Sequence, residues 1–141
     1  MNVSDLKMHH IGVAVPAIAD AAEAYAGDGW ICGKTIFDPR QNVRICFAEK
    51  PDEIPHELVE PAAENSPVSA ILRKNGGEPE AYHVCYAVED LERTIADLRA
   101  EKWLLVRPPV PAVALGNARV AFLYSPGAGL IELLEKLPQD A

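Results

Sequence analysis

The chain has 141 residues, 49% of them apolar and 24% charged, which suits one ordinary globular domain with a real core. A formal net charge of -8 argues against a nucleic-acid surface, where a basic patch is expected, but leaves room for a small anion held by a few local cations. No apolar run approaches membrane-spanning length and "MNVSDLK" lacks a signal pattern, so no membrane association and a cytoplasmic location are expected. Cys32, Cys46 and Cys85 show no CxxC spacing and lie in apolar stretches. They read as reduced, mostly buried thiols, with no visible partner to activate Cys85 as a nucleophile.

In chain order, "HHIGVAV" reads as a strand and "AIADAAEAYA" as a helix. "WICGKTIF", "VRICFAE" and "HELVEP" follow as strands. "ENSPVSAILRKNGGEPE" is expected to hold a short linker helix, with Ser66 at the N-cap, Pro67 at the first helical position and Gly76-Gly77 as the stop. "YHVCYAV" is the next strand. Asp90 caps the helix "LERTIADLRAE", and the strands "WLLV", "ARVAFLY" and "LIELLE" complete the chain. "RPPVPAVALGN" reads as a loop.

The two halves repeat. At an offset of 73 positions His10 falls on His83, Ala14 on Ala87, Val15 on Val88 and Trp30 on Trp103. Ile18, Ala22 and Tyr25 fall on Leu91, Ile95 and Leu98, which is one stripe of an amphipathic helix in both copies. Beyond Trp30 the offset becomes 75, and Arg44 matches Arg119, Phe47 matches Phe122, Glu57 matches Glu132 and Glu60 matches Glu135. Each copy reads β-α-β-β-β. The expected fold is therefore α+β, with two βαβββ modules in tandem whose curved mixed sheets enclose a metal-containing cavity. The modules span about 6–61 and about 80–137, with the linker helix at about 65–77, within a single domain over 1–141.

Alternation along the first strand of each copy puts His10, Gly12 and Ala14 on one face, and His83, Cys85 and Ala87 on the matching face. The bulkier apolar residues point to the helix. A histidine followed by small side chains leaves space on the other face. Glu57 and Glu132 sit within apolar strands at equivalent positions, where a carboxylate is costly unless paired, protonated or metal-bound. A single strand histidine or glutamate is usually structural; the joint placement of His10, Glu57, His83 and Glu132 in matching registers is what nominates a metal site. Imidazole and carboxylate together suit Zn, Fe, Co, Ni or Mn. His9 and His56 point the other way by alternation. Glu60 and Glu135 lie on the opposite strand face and are expected to meet solvent. Trp30 and Trp103 are expected to anchor the core.

With "HHIGVAV", "HELVEP", "YHVCYAVEDL" and "LIELLE" in this arrangement, residues 6 to 136 resemble the vicinal oxygen chelate superfamily. That group includes glyoxalases, methylmalonyl-CoA epimerases, extradiol dioxygenases and antibiotic-resistance binding proteins of the bleomycin type. "SPVSAILRKNGG" and "LGNARVAFLYSPGAGLIELLE" are similar to the linker helix and final hairpin of methylmalonyl-CoA epimerases. The resemblance implies a metal-dependent proton-transfer enzyme. A divalent ion would be held by His10, Glu57, His83 and Glu132, with Glu57 and Glu132 as base and acid. It implies a small thioester substrate of the acyl-CoA or glutathione class, and leaves a homodimer open. A lactoylglutathione lyase and a binding protein of the bleomycin-resistance type are the alternatives. The chain departs from the epimerase pattern at Ile45, where that branch can place a second catalytic glutamate, and in the short turn "YSPGAG", which lacks a lysine.

Overall fold

The computed structural model describes residues 6–136, which form nine strands and three α-helices. They group into two compact units, residues 10–82 and residues 6–9 with 83–136.

The first unit takes up β1 (Lys7–Ala14) from His10 onward, followed by α1 (Ile18–Gly27), β2 (Ile31–Cys32), β3 (Ile36–Asp38), β4 (Val43–Glu49), β5 (His56–Pro61) and α2 (Pro67–Lys74). The strand order is β2-β4-β5-β1, and β3 also pairs with β4. β1 and β5 are parallel, while the β4 pairings are antiparallel. The stretch "WICGKTIF", expected as one strand, is broken at Gly33–Thr35 into β2 and β3. Gly33 still pairs, its N–H bonding the Phe47 carbonyl at 2.9 Å, but the register against β4 shifts by one residue between Cys32↔Ala48 and Ile36↔Ile45, and the extra residue interrupts the strand.

The apolar side of this sheet packs as expected. Val13 of β1 and Val15 just beyond it meet Ile18 of α1, with Cys46, Ala48 and Leu58 completing the cluster. Tyr25 and Trp30 pack against it, and Ala21 takes the contact expected of Ala22. His56 lies on this side too: the Tyr25 hydroxyl sits 2.7 Å from its Nδ1, and the Trp30 ring lies tilted over it at 4.6 Å. Burial pushes the His56 pKa down and the Tyr25 pKa up, since both rings give up water for this contact.

The α1 N-terminus lacks a side-chain cap from Ala17. Glu60 supplies it from 42 residues away, its Oε1 accepting the Ile18 N–H at 2.8 Å while Oε2 accepts from Arg44 at 3.2 Å. Glu60 thus ties the end of β5 to the start of α1 instead of simply meeting solvent. In α2 the expected signals hold. The Ser66 side chain accepts from Val68, and Gly76 and Gly77 close the helix through bonds to Arg73 and Leu72 at 3.3 and 2.8 Å. Gly76 does so at φ 66°, the left-handed conformation this helix end requires.

The second unit repeats the plan with β6 (Glu80–Val88), α3 (Leu91–Ala100), β7 (Leu104–Ala112), β8 (Ala118–Ser125) and β9 (Gly129–Glu135), in the order β6-β9-β8-β7. β6 and β9 are parallel; the β9–β8 and β8–β7 pairs are antiparallel. Leu91, Ile95 and Leu98 of α3 bury the expected stripe against Ala121, Leu123, Ile131 and Leu133, with Trp103 alongside. Asp90 caps α3 by accepting from the Arg93 N–H at 3.0 Å. Replacing Asp90 with alanine is expected to cost about 0.5–2 kcal/mol of stability in urea unfolding. Leu133→Ala, at a fully buried position, should cost more, about 2–5 kcal/mol.

The segment expected as a loop after "WLLV" is instead the rest of β7. Pro108, Pro109 and Pro111 are tolerated because β7 is the last strand in the order and needs no N–H on its outer side. The strand absorbs them through register shifts between Leu105 and Arg107 and between Arg107 and Val110. A short 3-10 turn over Val113–Leu115 ends it.

Glu135 mirrors Glu60. Its two oxygens accept from Arg119 at 3.0 and 2.7 Å, and Arg119 also reaches Glu92 of α3 at 2.7 Å. The hydrogen bonds from Arg119 hold the Glu135 carboxyl below the usual glutamate range. A lowered folded-state pKa stabilises above the ordinary value and is lost as pH falls through the folded one. Glu135→Gln is therefore expected to flatten the loss of stability below about pH 4, read from urea midpoints across pH. The pair is largely solvated, so the effect is modest.

Candidate metal centre

Each unit builds the same pair of side chains in the same way. In the first, parallel pairing sets Gly12 of β1 opposite Glu57 of β5. His10 lies two residues back on the same face of β1. His10 Nε2 and Glu57 Oε1 are 3.5 Å apart. In the second, Cys85 of β6 lies opposite Glu132 of β9, and His83 Nε2 is 3.2 Å from Glu132 Oε1. In both cases the histidine precedes by two the residue facing the glutamate. All four residues are at most 4% exposed.

The repeat extends to an aromatic wall. Phe47 of β4 faces Glu57 across the β4–β5 pair, and Phe122 of β8 faces Glu132 across the β8–β9 pair. Each ring stands edge-on to the neighbouring imidazole, with centroids 5.4 Å apart in both units and interplanar angles of 84° and 89°. A phenyl edge restrains imidazole rotation and keeps that side dry. The matched phenylalanines were visible in the sequence repeat, but without register their place beside the histidines was not.

The structure thus brings His10 to Glu57 and His83 to Glu132. His56 is turned to the helix side, as alternation requires. Ile45 is buried on the Phe47–Glu57 face of β4, opposite Val59, so hydrocarbon fills the position where epimerases can carry a further glutamate. Among the described residues Cys32, Cys46 and Cys85 form no disulfide, and burial pushes the Cys46 thiol up. Among the described residues no helix is long and apolar enough to cross a membrane.

The donor sets fit a divalent transition metal. Two atoms each about 2.1 Å from one ion are about 3.0 Å apart at a right angle and about 3.4 Å apart at the tetrahedral angle. Both observed His–Glu separations lie close to that span. Neutral imidazole with carboxylate is also the right chemistry for such an ion.

Comparison with known proteins places the fold in a family. The profile of the glyoxalase/bleomycin resistance protein/dioxygenase superfamily matches residues 9–122. An ethylmalonyl-CoA/methylmalonyl-CoA epimerase of Cereibacter sphaeroides is 34% identical over 121 residues, covering 84% of this chain and 87% of that protein. The crystal structure of methylmalonyl-CoA epimerase from Mycobacterium tuberculosis superposes with a TM-score of 0.82 at 27% identity, covering 99% of this chain and 94% of the other. A Streptomyces coelicolor methylmalonyl-CoA epimerase variant in complex with 2-nitronate-propionyl-CoA gives 0.76 at 26% identity, covering 93% and 98%. The relatives are epimerases, and the chain belongs to the glyoxalase/bleomycin resistance protein/dioxygenase superfamily.

Proposed function

We propose that His10, Glu57, His83 and Glu132 together bind one divalent transition metal and that the chain epimerises C2 of a 2-substituted malonyl-type acyl-CoA. The observation that carries this reading is the pair of equivalent, buried His–Glu couples, each at a spacing suited to one ion. The names of the relatives supply the substrate class. A bound ion would supply positive charge beside the thioester oxygen, where negative charge grows as the C2 proton leaves.

The chain's own groups then divide the work. Epimerisation needs one group to take the C2 proton and another to return it on the other face. Ile45 offers neither. Glu57 and Glu132 are the carboxylates available, one from each unit, and serve as base and acid. His10 and His83 hold their positions through the edge contacts with Phe47 and Phe122. The phenyl rings and apolar strands exclude water, which protects the carbanion from indiscriminate protonation. The three reduced thiols suit a cytoplasmic setting.

The test is solvent exchange. Metal-loaded protein in deuterated water should wash the C2 proton out of methylmalonyl-CoA or ethylmalonyl-CoA, with mass spectrometry reading the incorporated deuterium. The hemithioacetal of methylglyoxal and glutathione should be left unchanged. Turnover of that hemithioacetal with no exchange in either acyl-CoA would replace the epimerase reading by the lyase one.

A further inference from the structure

The repeat is broken beside the ligand face of the first unit. At the offset of 73 positions Trp30 matches Trp103 and Ile31 matches Leu104, but Gly33 falls where the second unit has Val106. Gly33 answers no backbone need. It lies outside the left-handed region, and the nearest atom a Cβ would meet beyond its chain neighbours is the Phe47 carbonyl oxygen at 3.7 Å, an ordinary contact. What the missing side chain leaves is room. A pocket of about 490 Å³ opens here, lined by Ile31, Gly33, Phe47, Glu49, Lys50 and Pro51.

The pocket belongs to the face that carries His10 and Glu57. Phe47 pairs with Glu57 and stands edge-on to His10; Glu49, two residues further along β4, pairs with Ile31. Ile31 is 76% exposed, so it lies open to an apolar group arriving along this face. Over two strand spacings and two residues of strand, the Cα atoms of Glu57 and Ile31 are about 12 Å apart. A hydrocarbon of several carbons that starts beside Glu57 and crosses the Phe47 ring would reach Ile31.

The lining also decides what kind of group fits. Ile31, Phe47 and Pro51 offer apolar contact. The exposed Glu49 carboxylate repels carboxylate and phosphate. Lys50 does not offset it for a ligand, because its ammonium donates to the Asp28 carbonyl at 2.8 Å and lies 3.8 Å from the Asp28 carboxylate. An uncharged occupant is favoured, and the free carboxylate of the acyl group and the phosphates of CoA are not.

We propose that this pocket receives the C2 substituent of the acyl group, and that the protein acts on malonyl-type thioesters whose substituent is an uncharged hydrocarbon longer than ethyl. Gly33 and Ile31 are then specificity-determining residues. The inference rests on the acyl-CoA epimerase reading above.

The experiment measures C2 deuterium exchange for malonyl-CoA thioesters carrying methyl, butyl or benzyl at C2, with the calorimetric affinity of each on the same protein. Burial of each added methylene is worth about fourfold, so wild-type protein should favour butyl over methyl in both affinity and kcat/KM by about tenfold or more. Gly33→Leu fills the pocket without straining the backbone and should remove that preference. Ile31→Asp, at an exposed position, should also remove it by setting a second carboxylate against the hydrocarbon. Equal or weaker wild-type affinity for butyl than for methyl, or a preference unchanged in both variants, would overturn the proposal; exchange of methylmalonyl-CoA would then leave the epimerase reading standing. A Gly33-dependent preference for butyl in affinity, with no exchange of any thioester, would support the pocket and count against the epimerase reading alone. Absence of binding of every thioester would overturn both.

Discussion

Replacing His83 with alanine is expected to strip the protein of its metal. Wild-type protein should carry about one divalent ion per chain after loading and desalting. Loss of one of four donors should weaken binding by about 100-fold or more, since even the partners of metal ligands are commonly worth 10- to 100-fold. His10→Ala should do the same, because the register that places His83 two residues before the partner of Glu132 places His10 in the same relation to Glu57. His56→Ala provides the contrast. It removes a 2.7 Å contact to Tyr25 and the face under Trp30, so it should lower stability by about 1–3 kcal/mol. Yet its ring points to the helix side, so the metal content of the folded protein should be unchanged. Elemental analysis beside a urea melt separates the two outcomes. Loss of metal in His56→Ala equal to that in His83→Ala would show that the ligand face has been misassigned.

Glu132→Gln is expected to abolish proton exchange from the C2 epimer whose proton Glu132 takes. An amide keeps the shape of the carboxylate but cannot accept a proton, and loss of a general base commonly costs about 10²- to 10⁴-fold. The exchange rate of the acyl-CoA C2 proton is the readout, with metal content measured on the same sample because Glu132 is also a proposed ligand. A variant that retains its ion and loses exchange supports the base role. One that retains both would move the proton-transfer step to another group. Glu57→Gln completes the comparison: if the two carboxylates serve opposite faces of C2, each single variant should block epimerisation, because a proton must be both removed and returned.

Much of this arrangement was legible because the chain states it twice. Any one of His10, Glu57, His83 or Glu132 could be a structural residue; the offsets of 73 and 75 make them two copies of one relation. The parallel β1–β5 and β6–β9 pairings turn that relation into contact. What was not legible depends on partners distant in sequence. Glu60 looked like a solvent-facing strand end, yet it caps α1 from 42 residues away, and nothing local to "HELVEP" signals that. The proline-rich run after Leu105 looked like a loop because proline removes ladder donors. It is strand because β7 lies at the end of its sheet order, a fact of topology and not of composition. The break between β2 and β3 similarly rests on a one-residue shift of register against β4.

The central claim is that the two His–Glu pairs hold one ion between them. X-ray absorption spectroscopy of protein loaded with a single equivalent of Co or Zn tests it most directly. The account predicts a first shell containing two imidazole nitrogens and carboxylate oxygen at about 2.0–2.2 Å, with the imidazole signal falling to one ring in a variant lacking either His10 or His83. A shell without imidazole, or one unchanged by loss of either histidine, would contradict it.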